Sequence, residues 1–209
     1  MEYLSDRIKA LSVSQTLAMA QKSRELKAKG LDIISLSLGE PDFDTPDYIK
    51  EAAKKAIDDN YSKYPPVPGY NDLRDAISRK FMNENGIKYS ADQTIVSAGG
   101  KHSLINVILS VINPGDEVII LAPYWVSYYD QIILAGGKPV VVEALLDNDF
   151  KVRPEQLEEV ITPSTRLLIF NSPSNPTGMV YTRDEMESIA RVIEKHEGLF
   201  VMSDEIYEH

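Results

Sequence analysis

Cysteine is absent from the 209-residue chain, tryptophan occurs once and histidine three times. Without thiols there is no disulfide framework and no zinc site built on thiolates. His102, His196 and His209 form no ligand pattern, and dipole or capping roles suffice for the two that fall on helices. Asp42-Phe43-Asp44 hints at a metal, but further ligands are missing and a loop turn explains it, so no metal site is expected. Basic residues are in the minority, with 22 Lys and Arg against 32 Asp and Glu and a formal charge of −10. That balance lacks the clustered basic face of a nucleic-acid binder. Long apolar runs are also missing: stretches such as Val118 to Ala122 have the length of a buried strand and are far too short to span a bilayer. Met1 to Arg7 carries charge where an export signal needs an apolar core. A cytoplasmic protein with neither membrane nor nucleic acid as partner is expected. No Gly-x-Gly-x-x-Gly and no Walker loop occurs, which disfavours the standard nicotinamide and nucleotide enzymes.

The composition that remains, 43% hydrophobic and 26% charged, is that of a folded soluble protein. Helical spacing from Ser14 to Lys29 places Leu17, Ala20, Arg24 and Ala28 along one pattern, with Gly30 in the position of a C-cap. Ile33 to Leu36 reads as a short strand. Pro46 opens a helix to about Asp59. The segment Tyr61 to Tyr70, with three prolines and a glycine, is a shaped loop. A helix runs from Asn71 to Asn85, ended by Gly86. Strands and helices then alternate, with strands at 94–97, 117–121, 138–142, 166–170 and 199–203 and helices at 101–112, 127–135, 154–160 and 183–196. Near-continuous apolar strands between helices predict an α/β fold, a mostly parallel sheet with helices on both faces. Residues 1–45 read as an arm or lobe feeding a sheet domain at 46–209. The polar Ser203 to His209 directly behind a central-strand pattern gives the expectation of a chain cut short.

Four motifs carry chemistry. Ser97-Ala98-Gly99-Gly100-Lys101 joins a strand to a helix, where small residues and free N–H groups suit a phosphate; an ordinary tight turn would look the same. Asn171-Ser172-Pro173-Ser174-Asn175-Pro176-Thr177-Gly178 is a rigid loop at a strand's C-terminal end, where open α/β sheets bind ligands, or else a capped turn before the next helix. Asp204 can sit under a cationic ring nitrogen with Tyr207 reaching the same ligand, or it can cap the next element. Trp125, in Pro123-Tyr124-Trp125, can stack on a flat cofactor or fill the core. All four fall at strand C-termini of one predicted sheet. Together they meet the needs of pyridoxal 5'-phosphate: an acid for the pyridine nitrogen, donors for the ring oxygen, an aromatic for the ring plane and a phosphate loop.

From Ser14 to His209 the chain closely resembles the class I, fold type I aminotransferases, in particular the bacterial aspartate aminotransferase branch. The marks are Ser37-Leu38-Gly39-Glu40-Pro41-Asp42-Phe43, Lys63-Tyr64, Pro123-Tyr124-Trp125, Asn171 to Gly178 and Ser203-Asp204-Glu205-Ile206-Tyr207. The resemblance implies that Ala98, Gly99, Gly100 and Lys101 cradle the phosphate. It implies that Trp125 stacks on the ring and faces the substrate, and that Asn175 touches ring oxygen and substrate carboxylate. Asp204 would pair with the pyridine nitrogen and Tyr207 with the ring oxygen. Gly39 would border the substrate's α-carboxylate, and Tyr64 would reach the neighbour's phosphate in a homodimer. The Schiff-base lysine and the carboxylate-binding arginine would lie beyond residue 209, so the chain carries an incomplete large domain with an arm or small-domain segment and no catalytic lysine. The implied reaction, in the full-length parent, moves the amino group of aspartate or a related amino acid to a 2-oxo acid; alone, this chain is expected to be inactive. A lyase or an aromatic or prephenate aminotransferase on the same scaffold is the alternative, and a non-catalytic binding module the reading from another class.

Overall fold

A computed structural model describes residues 3–11, 15–36 and 39–209. Ser14, the expected helix start, and Ser37-Leu38 of the first motif lie outside the described residues, as do the side chains of 15–17. Two compact units emerge, Gln15–Gly99 and Met1–Ser14 with Gly100–His209.

The unit Gln15–Gly99 is helical. After α1 (Asp6–Lys9), which belongs to the other unit, come α2 (Gln15–Ala28), α3 (Asp47–Asp58) and α4 (Asn71–Lys80). Gly30 ends α2 at φ 81°, the left-handed conformation glycine adopts without cost, and Leu31 N–H reaches back to the Leu26 carbonyl. Ala20 is buried, and Ser23 and Leu26 are half-buried, while Arg24 and Ala28 are exposed, so the covered face is turned from the expected one. A π-helical turn, Phe81–Asn85, extends α4 to Gly86. Arg74 on α4 organises the segment 91–94. Its guanidinium is buried and donates to the carbonyls of Thr94 (3.0 Å) and Ala91 (2.6 Å) and to Asn71 Oδ1 (3.1 Å).

Two expected strands are not strands. At 94–97 the backbone groups are taken up elsewhere, the Thr94 carbonyl by Arg74 and Val96 N–H by the Pro68 carbonyl. At 33–36, Ile34 and Leu36 stand exposed and no strand partner occurs among the described residues. An apolar run becomes a strand only where another offers a ladder of hydrogen bonds.

The second unit holds the sheet. Its elements are α5 (Gly100–Val111), β1 (Glu117–Ala122), α6 (Ser127–Leu134), β2 (Lys138–Glu143), α7 (Pro154–Val160), β3 (Thr165–Asn171), α8 (Arg183–Ile193) and β4 (Phe200–Asp204). The strands are all parallel in the order β2-β1-β3-β4. Each face has its own core. Val118 and Ile120 of β1 and Leu167 and Ile169 of β3 pack with Leu104, Ile108 and Ile112 of α5 and Tyr128 and Ile132 of α6. The alternate residues Ile119, Leu168 and Phe170 pack with Leu157 of α7 and Ile189 and Val192 of α8. Strands apolar on both sides thus lie between two helical layers, as parallel sheets require. The connection through α6 leads outward from β1 to β2 on one face. Those through α7 and α8 run back to β3 and on to β4 across the other, the arrangement right-handed crossovers impose. No described helix is long and apolar enough to cross a membrane.

The helix starts obey local chemistry. Thr182 and Glu185 form a reciprocal capping box at α8, and Lys151 Nζ meets Glu185 Oε1 at 3.0 Å. The Thr182 N–H and then the Lys151 ammonium hold the Glu185 carboxyl below its ordinary value of 4.5. A lowered folded-state value adds stability above pH 4.5 that is lost as pH falls through the folded value. Glu185→Gln is therefore expected to flatten the acid limb of a denaturation-against-pH curve and leave its alkaline limb unchanged. Leu168 is fully buried between the layers. Leu168→Ala is expected to lower the unfolding free energy by about 2–5 kcal/mol in urea titration, and a loss under about 1 kcal/mol would contradict the packing described.

Candidate active site

The strand order reverses at β1: the chain goes to β2 on one side and comes back to β3 on the other. In open parallel sheets the crevice at such a switch, at the strands' C-terminal ends, is where ligands bind. Here β1 delivers Pro123, Tyr124 and Trp125, β3 delivers Asn171 and the loop to Gly178, and β4 delivers Asp204 and Tyr207. Tyr124, Tyr128, Asn171, Ser174 and Asn175 line one small cleft at the ends of β1 and β3.

Asp204 is the last residue of β4 rather than one residue beyond it, and its Cα pairs with that of Asn171 in the parallel register. Asn171 Nδ2 donates to the Asp204 carbonyl at 2.7 Å, and Asn171 Oδ1 accepts Asn175 N–H at 2.8 Å. One amide side chain therefore ties the strand to the loop it starts. The loop is closed on itself by Gly178 N–H to the Ser174 carbonyl (2.7 Å) and Ser174 N–H to the Met179 carbonyl (3.0 Å). Gly178 has φ 72°, which only glycine adopts freely. From this frame Asn175 Nδ2 donates to the Tyr207 hydroxyl at 3.0 Å. Asn175 and Tyr207 are thus brought together.

The Asp204 carboxylate has two different oxygens. Oδ2 accepts the Tyr128 hydroxyl at 2.6 Å, while Oδ1 accepts only Ile206 N–H at a long 3.4 Å. Tyr128 sits in the first turn of α6, is 3% exposed, and meets the Trp125 ring edge-to-face at 5.5 Å. Burial, and then the hydrogen bond to Asp204, push the Tyr128 phenol far above its ordinary value, so it stays a neutral donor. Trp125 is half-buried: it packs against the α5–α6 core, yet Lys101 Nζ lies 4.8 Å from its ring centre. Lys101 in turn is held by α6, through Gln131 Nε2 to the Lys101 carbonyl at 3.0 Å.

Gly100 opens α5 and Gly99 precedes it at φ 85°. A Cβ at Gly100 would meet nothing within 4 Å, so neither strain nor crowding in the chain itself calls for glycine there. Ala98, Gly99, Gly39 and Tyr64 belong to the other unit, where all four are exposed. No cluster of three or more metal-binding side chains occurs among the described residues.

Two residues of this network do not stand out in the sequence. Asn171 opens the Asn-Pro loop, where the motif gives it no role of its own. Tyr128, in the first turn of α6, reads from sequence as a core residue, and its partner lies 76 residues away.

A donor–acceptor chain at a switch point, an indole under an ammonium and a carboxylate with one lightly held oxygen define a class of protein that comparison then identifies. The family model for aminotransferase class I and II matches residues 31–209, and the chain belongs to that family. It is 54% identical over its whole length to an aspartate/prephenate aminotransferase of Cereibacter sphaeroides, of which it covers 52%. An aspartate aminotransferase from Thermus thermophilus, solved with maleate, superposes with a TM-score of 0.93 at 44% identity over 98% of this chain and 53% of that one. An alanine aminotransferase from Pyrococcus furiosus gives 0.92 at 30% identity, over 98% of this chain and 52% of its own. The chain spans about half the length of the curated relatives it matches. The expected α/β architecture of fold type I holds, with four parallel strands among the described residues and none at the expected 33–36 and 94–97.

Asn171 supports both Asp204 and the Asn175 loop. Asn171→Ala is expected to cost about 1–3 kcal/mol of stability, because the groups it leaves are half-buried. It should also speed protease cleavage within residues 172–178, and an unchanged cleavage rate would show that the loop does not depend on it.

Proposed function

We propose that this chain is the cofactor-holding part of a pyridoxal-phosphate-dependent aminotransferase that moves the amino group of aspartate or a related amino acid to a 2-oxo acid. The single observation that carries this is the run of contacts Tyr128–Asp204, Asn171–Asp204 and Asn175–Tyr207 at the C-terminal edge of the sheet. The chemistry of this donor set fits the cofactor. Asp204 keeps Oδ1 nearly free for a cationic ring nitrogen. Tyr207 and Asn175 present a hydroxyl and an amide for the ring oxygen. Trp125 offers a flat face, and Lys101 with the start of α5 offers positive charge to a phosphate. The open space at Gly100 suits close approach of an anion to the backbone. For Ala98 and Gly99 at the phosphate, Gly39 and Asn175 at the substrate carboxylate, and Tyr64 reaching a homodimer partner's phosphate, the support is the family resemblance.

When bound, the cofactor supplies an electron sink for the substrate's Cα electrons. The chain's own part is to hold the ring nitrogen's proton against Asp204, to fix the ring oxygen between Asn175 and Tyr207, and to limit tilt with Trp125. The covalent lysine and the arginine for the substrate's α-carboxylate are proposed beyond residue 209. Residues 1–45 are proposed as arm and small-domain segment and 46–209 as partial large domain, and the whole protein as a cytoplasmic homodimer. Relatives named for both aspartate and prephenate support a prephenate-type 2-oxo acid as a second acceptor.

The test is Asp204→Ala in the complete protein, with aspartate as donor and 2-oxoglutarate or prephenate as acceptor. Turnover is expected to fall at least about a hundredfold, the scale of losing one preorganised electrostatic partner, while some cofactor absorbance is retained on titration. Near-normal turnover would overturn the reading.

A further inference from the structure

One buried polar side chain lines the proposed cofactor site without a proposed contact to the cofactor itself. Tyr128 belongs to the buried cluster that includes Val118, Ile120, Ile132, Ile169 and Met202, and its hydroxyl meets Asp204. A tyrosine placed for packing alone leaves its hydroxyl to find any partner. This one makes a 2.6 Å bond to a carboxylate 76 residues away, shorter than the neutral O–H···O norm and in the charge-assisted range. The bond fixes the carboxylate's rotation: Oδ2 is tied down, and Oδ1 keeps only the long contact with Ile206 N–H.

We infer that Tyr128 is a positioning residue that acts through Asp204, fixing the carboxylate's rotation so that Oδ1 stays oriented to receive a protonated ring nitrogen. This role rests on the proposed cofactor reading. Asn171 cannot do the same work, because it bonds the Asp204 backbone carbonyl and leaves the carboxylate untouched. Nor can Ile206 N–H, whose 3.4 Å contact is the weaker of the two to the carboxylate and lies on the other oxygen. Trp125 joins the two functions: the face proposed for the ring plane is braced at its edge by the same phenol that orients the acid.

The experiment is 15N NMR of the complete protein loaded with pyridoxal phosphate labelled at the ring nitrogen. In the unsubstituted protein the resonance should lie at the protonated position. Tyr128→Phe, which keeps the ring and removes the hydroxyl, should move it toward the unprotonated position and weaken cofactor retention roughly tenfold, the scale of one charge-assisted hydrogen bond. Replacing Tyr128 by 3-fluorotyrosine keeps the fold's hydrogen bond with a stronger donor, and should leave the resonance at or beyond the protonated position. In an Asp204→Ala background, Tyr128→Phe should produce no further shift. An unmoved resonance in Tyr128→Phe with cofactor bound would overturn the inference and leave the cofactor reading intact. Absence of any bound cofactor in the unsubstituted protein would overturn both.

Discussion

The register between β3 and β4 is the constraint on which the rest of the site hangs. Parallel pairing from Leu167 with Phe200 to Asn171 with Asp204 brings the two polar residues side by side at the strand ends. A slip of one residue would send Asp204 to the opposite face and Met202 out of its core. Burial on both faces prevents that slip. Leu167, Leu168, Ile169 and Met202 each fit one layer only, so the apolar core fixes the position of a carboxylate that takes no part in it.

Loops then add reach to what the strands fix. The 171–178 segment is held by its own carbonyls, by Gly178 and by Asn171, and carries Asn175 to the Tyr207 hydroxyl. On the other side α6 presents Tyr128 beneath and Gln131 toward Lys101. Polar groups in this region brace one another through short bonds, which lets them stay oriented at the sheet's edge where water has access.

The sequence showed the second unit's architecture well, because its strands are apolar on both sides and its helices carry Pro154 and the Thr182–Glu185 pair at their starts. It misplaced strands at 33–36 and 94–97 for one reason. Composition marks a segment able to pair, while pairing depends on a partner that composition does not name, and at 94–97 Arg74 and Pro68 take the backbone groups instead. Of the candidate site, Trp125, Asn175, Asp204 and Tyr207 stood out by residue type and position after strands. Tyr128 did not, since an apolar-looking tyrosine on a helix reads as core; its role depends on a contact across 76 residues that no local pattern encodes.

That long separation bears on how the protein comes into being. A chain made from its N-terminal end presents Trp125 and Tyr128 well before residue 204 exists, so the phenol is made before its acceptor. Asn171 and Asn175 likewise precede their partners Asp204 and Tyr207 by 33 and 32 residues. Non-local bonds of this kind close late in folding. The polar network is thus a seal on the finished sheet: until β4 has docked in register, the Tyr128 hydroxyl and the Asn171 and Asn175 amide groups lack the acceptors they meet in the fold, and an immature chain offers a ligand no ordered acid to bind.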